Sequence, residues 1–132
     1  MFTIILHDAA YTTERSWNGL RFAEKALERG IPVRVFLFSD VVYIARRGHR
    51  PPEGVQSLED LLTRLLGKGA SVSVCTTWVK ARANQPLDHA AICFIHTTES
   101  SLSTGDLVAG AKMGTMAELV GWCRESQQVI SF

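Results

Sequence analysis

Apolar positions along this chain change period repeatedly, and each change marks an element. Phe2 to Leu6 is a near-continuous apolar run, the pattern of a strand buried on both faces as parallel strands are. After a polar loop from His7 to Tyr11, the residues Trp17, Leu20, Ala23, Ala26 and Leu27 recur at helical spacing. Thr12 or Thr13 is placed to cap that helix, Glu14 lies in its first turn, and Gly30 and Pro32 stop it. Val33 to Phe38 reads as the second strand, ending at Ser39-Asp40, and Val41 to Ala45 as a short helical turn.

Ser57-Leu58-Glu59-Asp60 has the form of a capping box. It opens a helix whose wide apolar stripe, Leu58, Leu61, Leu62, Leu65 and Leu66, ends at Gly67 and Gly69. Ala70 to Val74 is the third strand and Thr76 to Arg82 the helix after it, with Asn84 and Pro86 as its terminators. Residues 87–107 carry no clear period: Ala90 to Ile95 fits helix or strand, and Thr97 to Asp106, rich in Ser, Thr and Gly, reads as loop. Val108 to Met113 is expected to be a short strand. Thr115-Met116-Ala117-Glu118 caps a last helix with Met116, Leu119, Val120 and Cys123 on one stripe, and Val129 to Phe132 is a terminal strand. Strands alternating with helices predict an α/β domain of three layers with a mostly parallel five-stranded sheet, in a single domain covering residues 1–132.

Composition narrows the function classes. Lys and Arg number 14 against 13 Asp and Glu, a net charge of +1, so no global field points to nucleic acid, an anionic membrane or an acidic partner. The first residues include no basic leader, and no apolar run approaches the roughly 20 residues that span a bilayer. A cytoplasmic protein is expected. The 3 cysteines, Cys75, Cys93 and Cys123, form an odd set without CxxC spacing, which argues against a disulfide framework and against a zinc cage. His7, His49, His89 and His96 show no paired spacing, so no metal is expected. Neither GxxxxGK[ST] nor GxGxxG is present, which argues against nucleotide cofactors.

Cys75 stands apart from the other cysteines by position. Cys93 lies in an apolar run and Cys123 on the stripe of the last helix, both read as core. Cys75 falls where the third strand meets the following helix. This is the carboxyl edge at which open α/β sheets bind ligands, and helix N–H groups there favour a thiolate. Its alternative is a buried strand-end thiol. A phosphatase-type loop requires about five residues between cysteine and arginine to wrap an anion in N–H groups; here Thr76 to Ala81, six residues without glycine, separate Cys75 from Arg82. Thr76, Thr77 and Arg82 remain as weak supporting candidates, with the solvated helix arginine the blander reading of Arg82. His7 and Asp8 end the first strand on the same edge, where loop packing is the commoner role. Arg46, Arg47, His49 and Arg50 form a basic loop after the second strand, expected to be solvated; if functional, it would dock an acidic protein or hold an anionic sulfur species.

Several blocks of the chain resemble the DsrE/DsrF-like family, including its TusD and YchN branches. They are Tyr11 to Arg15 with Asn18-Gly19-Leu20, Val35 to Asp40 with Val42-Tyr43, Val72 to Cys75 followed by Lys80-Ala81-Arg82, and Val129 to Phe132. The resemblance implies a flavodoxin-like domain, assembly as homo- or hetero-oligomers such as trimers or hexamers, and sulfurtransferase-type carrier chemistry in sulfur relay. On it, Cys75 matches the cysteine that accepts sulfane sulfur as a persulfide, with donor and acceptor proteins as partners and no cofactor. Trp78 stands where many members carry a second cysteine and Ala83 where many carry glycine, and Leu87 to Asp106 is longer than in the YchN branch. A non-catalytic assembly or regulatory subunit of the same fold, and a small-molecule or anion binder, are the alternatives.

Overall fold

The computed structural model describes residues 1–82 and 102–132. Five strands form one sheet: β1 (Phe2–Leu6), β2 (Val33–Leu37), β3 (Ser71–Cys75), β4 (Lys112–Gly114) and β5 (Gln128–Ser131). Their spatial order is β4-β3-β2-β1-β5, and every pairing is parallel. The helices are α1 (Arg15–Glu28), α2 (Leu58–Gly67), α3 (Thr76–Arg82) and α4 (Met116–Glu125), with short helical turns at Ser39–Ala45 and Thr104–Asp106. The chain therefore steps outward from β1 to β4 and returns across the sheet to add β5 beside β1. Right-handed crossovers in opposite directions place their helices on opposite faces.

The register separates the two faces. Ile4 pairs with Val35 and Leu6 with Leu37, while Val35 pairs with Val72 and Leu37 with Val74; all six are buried. Helix α1 closes onto this face at Gly19, where an added Cβ would stand 2.4 Å from Leu6 Cδ2. Beside it, α2 buries Leu58, Leu61, Leu62 and Leu65, and its cap is the expected one, Asp60 N–H donating to Ser57 Oγ at 3.2 Å. Helix α1 begins at Arg15, later than a Thr12 or Thr13 cap would start it, so Glu14 stands at the cap position rather than in the first turn. Thr13 Oγ1 accepts from Arg15 N–H at 3.3 Å and donates to Asp8 Oδ2 at 2.7 Å, while Thr12 Oγ1 turns back to Ala9 O.

The opposite face is more polar and carries α4. Phe36 meets Trp122 edge-on at 6.0 Å, Ser73 Oγ donates to Glu118 Oε1 at 3.0 Å, and Arg34 pairs with Glu125 at 2.7 Å. The expected stripe of α4 is only partly buried. Leu119 is 8% exposed and Cys123 half-buried, whereas Met116 and Val120 stand 50% and 62% exposed. Thr115 caps α4 by accepting from Glu118 N–H at 3.2 Å, yet the Glu118 carboxylate reaches across to Ser73 rather than back to the cap.

The fourth strand also differs from expectation. Val108 is buried but outside the sheet, its N–H donating to Ala45 O at 2.8 Å, and the strand is the shorter Lys112–Gly114. The region from 83 to 101, with Cys93, His89 and His96, lies outside the described residues.

Candidate functional site

Cys75 is the last residue of β3, and α3 begins at the next position. A parallel strand delivers its final side chain to the carboxyl edge, and no residue separates that edge from the helix. Cys75 is 4% exposed. Across the ladder its partner is Gly114. That glycine is sterically required: a Cβ there would lie 2.8 Å from Ser73 Cβ, 2.9 Å from Glu118 Oε2 and 3.1 Å from Phe36 Cε2. The Thr76 hydroxyl donates to Gly114 O at 2.8 Å, which fastens the start of α3 to β4. Thr77 is exposed.

Arg82, at the end of α3, is not a solvated arginine. It pairs with Asp40, the residue after Ser39 at the head of the short turn following β2, and its guanidinium carbon lies 5.3 Å from the centre of the Trp78 ring. Trp78 in turn meets Phe38 edge-on at 6.2 Å, and Phe38 meets the His7 ring at 5.6 Å. The ends of β1 and β2 and the first two turns of α3 are thus joined by one row, His7, Phe38, Trp78, Arg82 and Asp40. Ser39 enters the turn with φ +64°, a left-handed conformation that reverses the chain before Asp40. Asp8, also on this edge, accepts from Thr13 and faces Arg15 at 3.9 Å, so it serves the entry to α1.

Of the residues singled out in the sequence, Cys75 ends β3 and Thr76, Trp78 and Arg82 follow it along α3, with His7 linked to Trp78 through Phe38. Cys123 belongs to α4. Asp40 and Gly114 were not among the sequence candidates. Asp40 had a signal, since it follows a strand on the same edge as Cys75; the need for glycine at 114 becomes visible only once β4 is paired.

The basic loop after β2 is likewise not simply solvated. Arg47 and Arg50 are exposed, but Arg46 is 3% exposed. His49 lies between Tyr11 and the turn: its Nε2 is 3.0 Å from Tyr43 O and its Nδ1 2.7 Å from the Tyr11 hydroxyl. A carbonyl only accepts, so Nε2 carries the proton and neutral Nδ1 accepts from Tyr11, whose oxygen accepts from Leu58 N–H at 3.1 Å. Burial pushes the His49 pKa below the ordinary histidine value and the Tyr11 pKa above the ordinary phenol value. Among the described residues no group of three or more His, Cys, Asp or Glu side chains is arranged to hold a metal, and no helix is long and apolar enough to cross a membrane.

The fold and site define a parallel α/β domain with a lone cysteine at a strand-to-helix junction. The DsrE/DsrF-like family model matches residues 1–132, and the chain belongs to that family. An uncharacterized protein of Methanocaldococcus jannaschii is 37% identical over 131 residues, spanning 99% of this chain and 98% of that one. Another, from Methanopyrus kandleri, is 34% identical over 132 residues, spanning 100% of this chain and 93% of its own. Protein YchN of Escherichia coli is 28% identical over 98% of this chain and 96% of its own. The crystal structure of the E. coli ychN protein superposes with a TM-score of 0.78, at 27% identity over 99% of this chain and 97% of that one.

Proposed function

We propose that this protein is a sulfur carrier of the sulfurtransferase type, with Cys75 as the persulfide-bearing residue. The observation that carries the reading is the position of Cys75, last in β3 and next to the first residue of α3, within a DsrE/DsrF-like chain. In the forward step the Cys75 thiolate attacks the outer sulfur of a donor persulfide. A new S–S bond forms at Cys75, the donor's S–S bond breaks, and the donor leaves as thiolate. In the return step an acceptor thiolate attacks the terminal sulfur and Cys75 leaves as thiolate, so no external oxidant or reductant is consumed. Trp78 stands one helical turn from Cys75, so α3 offers no second thiol there and the acceptor is a partner protein.

At 4% exposure, Cys75 is not freely open in the single chain. Donor docking must therefore admit a sulfur atom at the α3 edge. The test is intact-protein mass spectrometry after incubation with a low-molecular-weight or protein persulfide. The wild type gains one sulfur atom and Cys75→Ser gains none. Absence of uptake by the wild type, or equal uptake by the variant, refutes the assignment.

The same burial favours a second reading, an assembly or regulatory subunit in which Cys75 is a core thiol. That reading predicts a Cys75 that resists alkylation in the folded protein. In either case we expect an oligomer. Met116 and Val120 on α4 and Val129 on the edge strand β5 are apolar and exposed in the single chain, and a second subunit would cover them.

A further inference from the structure

Among the described residues, Arg46 is a buried charge that makes no ion pair. The residue is 3% exposed, and its Nη1 has no hydrogen-bond partner. Buried guanidinium groups are normally paired with carboxylates, because an unpaired charge away from water is costly. The carboxylates nearby are already engaged. Asp40 pairs with Arg82, Glu59 accepts from the N–H groups of Gly48 and His49 at 2.9 and 2.7 Å, and Asp106 accepts from Ser103 N–H and Ser103 Oγ, both at 2.8 Å. Asp106 is close enough for both Arg46 and Arg47 to lower its pKa, behind the larger effect of its bond from Ser103 N–H. It makes no ion pair with either arginine.

Two backbone segments build the surroundings. Arg46 and Leu107 form an antiparallel bridge, with Arg47 N–H donating to Asp106 O and Val108 N–H to Ala45 O, each at 2.8 Å. Beside these segments lies a shallow depression of about 290 Å³, open to solvent and lined by Arg46, Arg47, Gly48 and Asp106. The exposed Arg47 side chain is held over it by a bond to Gly105 O. The lining therefore carries two positive charges and one negative, on a fixed frame. Its volume is at the small end of ligand cavities.

We propose that this depression is a binding site for a small tetrahedral oxyanion of the sulfate or phosphate class, with Arg46 as its buried counterion and Arg47 at its rim. An anion there offsets the excess of positive charge that Arg46 and Arg47 leave over Asp106, through charge-assisted hydrogen bonds from guanidinium groups, whose planar fork suits such oxygens. The site is independent of the thiol chemistry.

Isothermal titration calorimetry on the full chain tests it, with sodium sulfate and sodium phosphate titrated separately and ionic strength held constant with sodium chloride. Saturable binding of at least one ion is expected. Arg46→Met should weaken it about tenfold or more, the loss of a charge-assisted bond. Asp106→Asn keeps an oxygen for Ser103 N–H but removes the opposing charge, and should tighten binding several-fold. Cys75→Ser should bind as the wild type does. If Arg46→Met fails to fold, Asp106→Asn decides alone. No saturable binding of either ion by the wild type, or affinity unchanged in the folded variants, overturns the proposal.

Discussion

Gly114 lies directly opposite Cys75 in the parallel pair of β3 and β4, and the space a side chain would take at 114 is filled by Ser73, Glu118 and Phe36. The backbone beside the cysteine is therefore set by what is missing from its neighbour. Gly114→Ala forces a Cβ to within 2.8 Å of Ser73 Cβ. The expected cost is about 1–3 kcal/mol, as for overpacking in a dense core, measured from the urea midpoint. Because β4 must shift, alkylation of Cys75 should quicken in the same variant. A variant as stable as wild type would contradict the packing described.

The link between Ser73 and Glu118 ties β3 to α4 from the other side. Removing the Glu118 carboxylate by Glu118→Ala leaves the Ser73 hydroxyl, 2% exposed, without its partner. About 1–3 kcal/mol of stability should be lost. Ser73→Ala should cost less, about 0.5–1.5 kcal/mol, since Glu118 is only half-buried and regains water. A double-mutant cycle showing no coupling would remove this bond from the account of how α4 is held.

His49 makes stability depend on pH with a definite sign. Burial lowers its folded-state pKa below the ordinary value of 6.5, so between those two values the unfolded chain binds more protons than the folded one. The contribution is complete above pH 6.5 and is lost as the pH falls toward the folded pKa. Denaturant midpoints measured from about pH 8 down to about pH 5 should therefore decline, and His49→Gln should flatten that decline. Tyr11→Phe, which strips both Leu58 N–H and His49 Nδ1 of a partner, should cost about 1–3 kcal/mol at neutral pH.

Arg46→Met should behave unlike most buried substitutions. In buffer free of sulfate and phosphate it removes an unpaired charge and retains an apolar side chain of similar length. Stability is expected to be unchanged, or raised by about 1–3 kcal/mol, by analogy with buried ions replaced by apolar groups. A loss of that size in anion-free buffer would mean the guanidinium already has adequate compensation within the chain.

Much of this arrangement is legible in the residues themselves. β1 and α3 fall where the apolar run and the strand-to-helix change place them, and the α2 cap at Ser57 forms by accepting from Asp60 N–H, one half of its box. What was not legible depends on partners distant in sequence. β4 is three residues containing a lysine and a glycine, with no alternation to reveal it, while the apolar run at Val108 is buried against the turn after β2 instead. The α4 stripe identifies a helix but not how much of it the sheet covers, so Met116 and Val120 emerge exposed. Arg46, within Arg46-Arg47-Gly48-His49-Arg50, looks like any solvated basic run until the bridge to Leu107 buries it. For the site, position and the family resemblance together marked Cys75. The engagement of Arg82 by Asp40 required the strands to be in register.

The return of β5 to the side of β1 has a consequence for how the molecule forms. The Met1 amino group donates to the Gln127 side chain at 2.9 Å across a separation of 126 positions, and Phe2 pairs with Gln128 immediately beside it. Until β5 has emerged from the ribosome, β1 has one open side, and its N–H and C=O groups there await a partner more than a hundred positions further along the chain. Nascent chains must therefore tolerate a hydrophobic edge while all the residues between β1 and β5 are made, and closing the sheet at β1 is a long-range, inherently slow event.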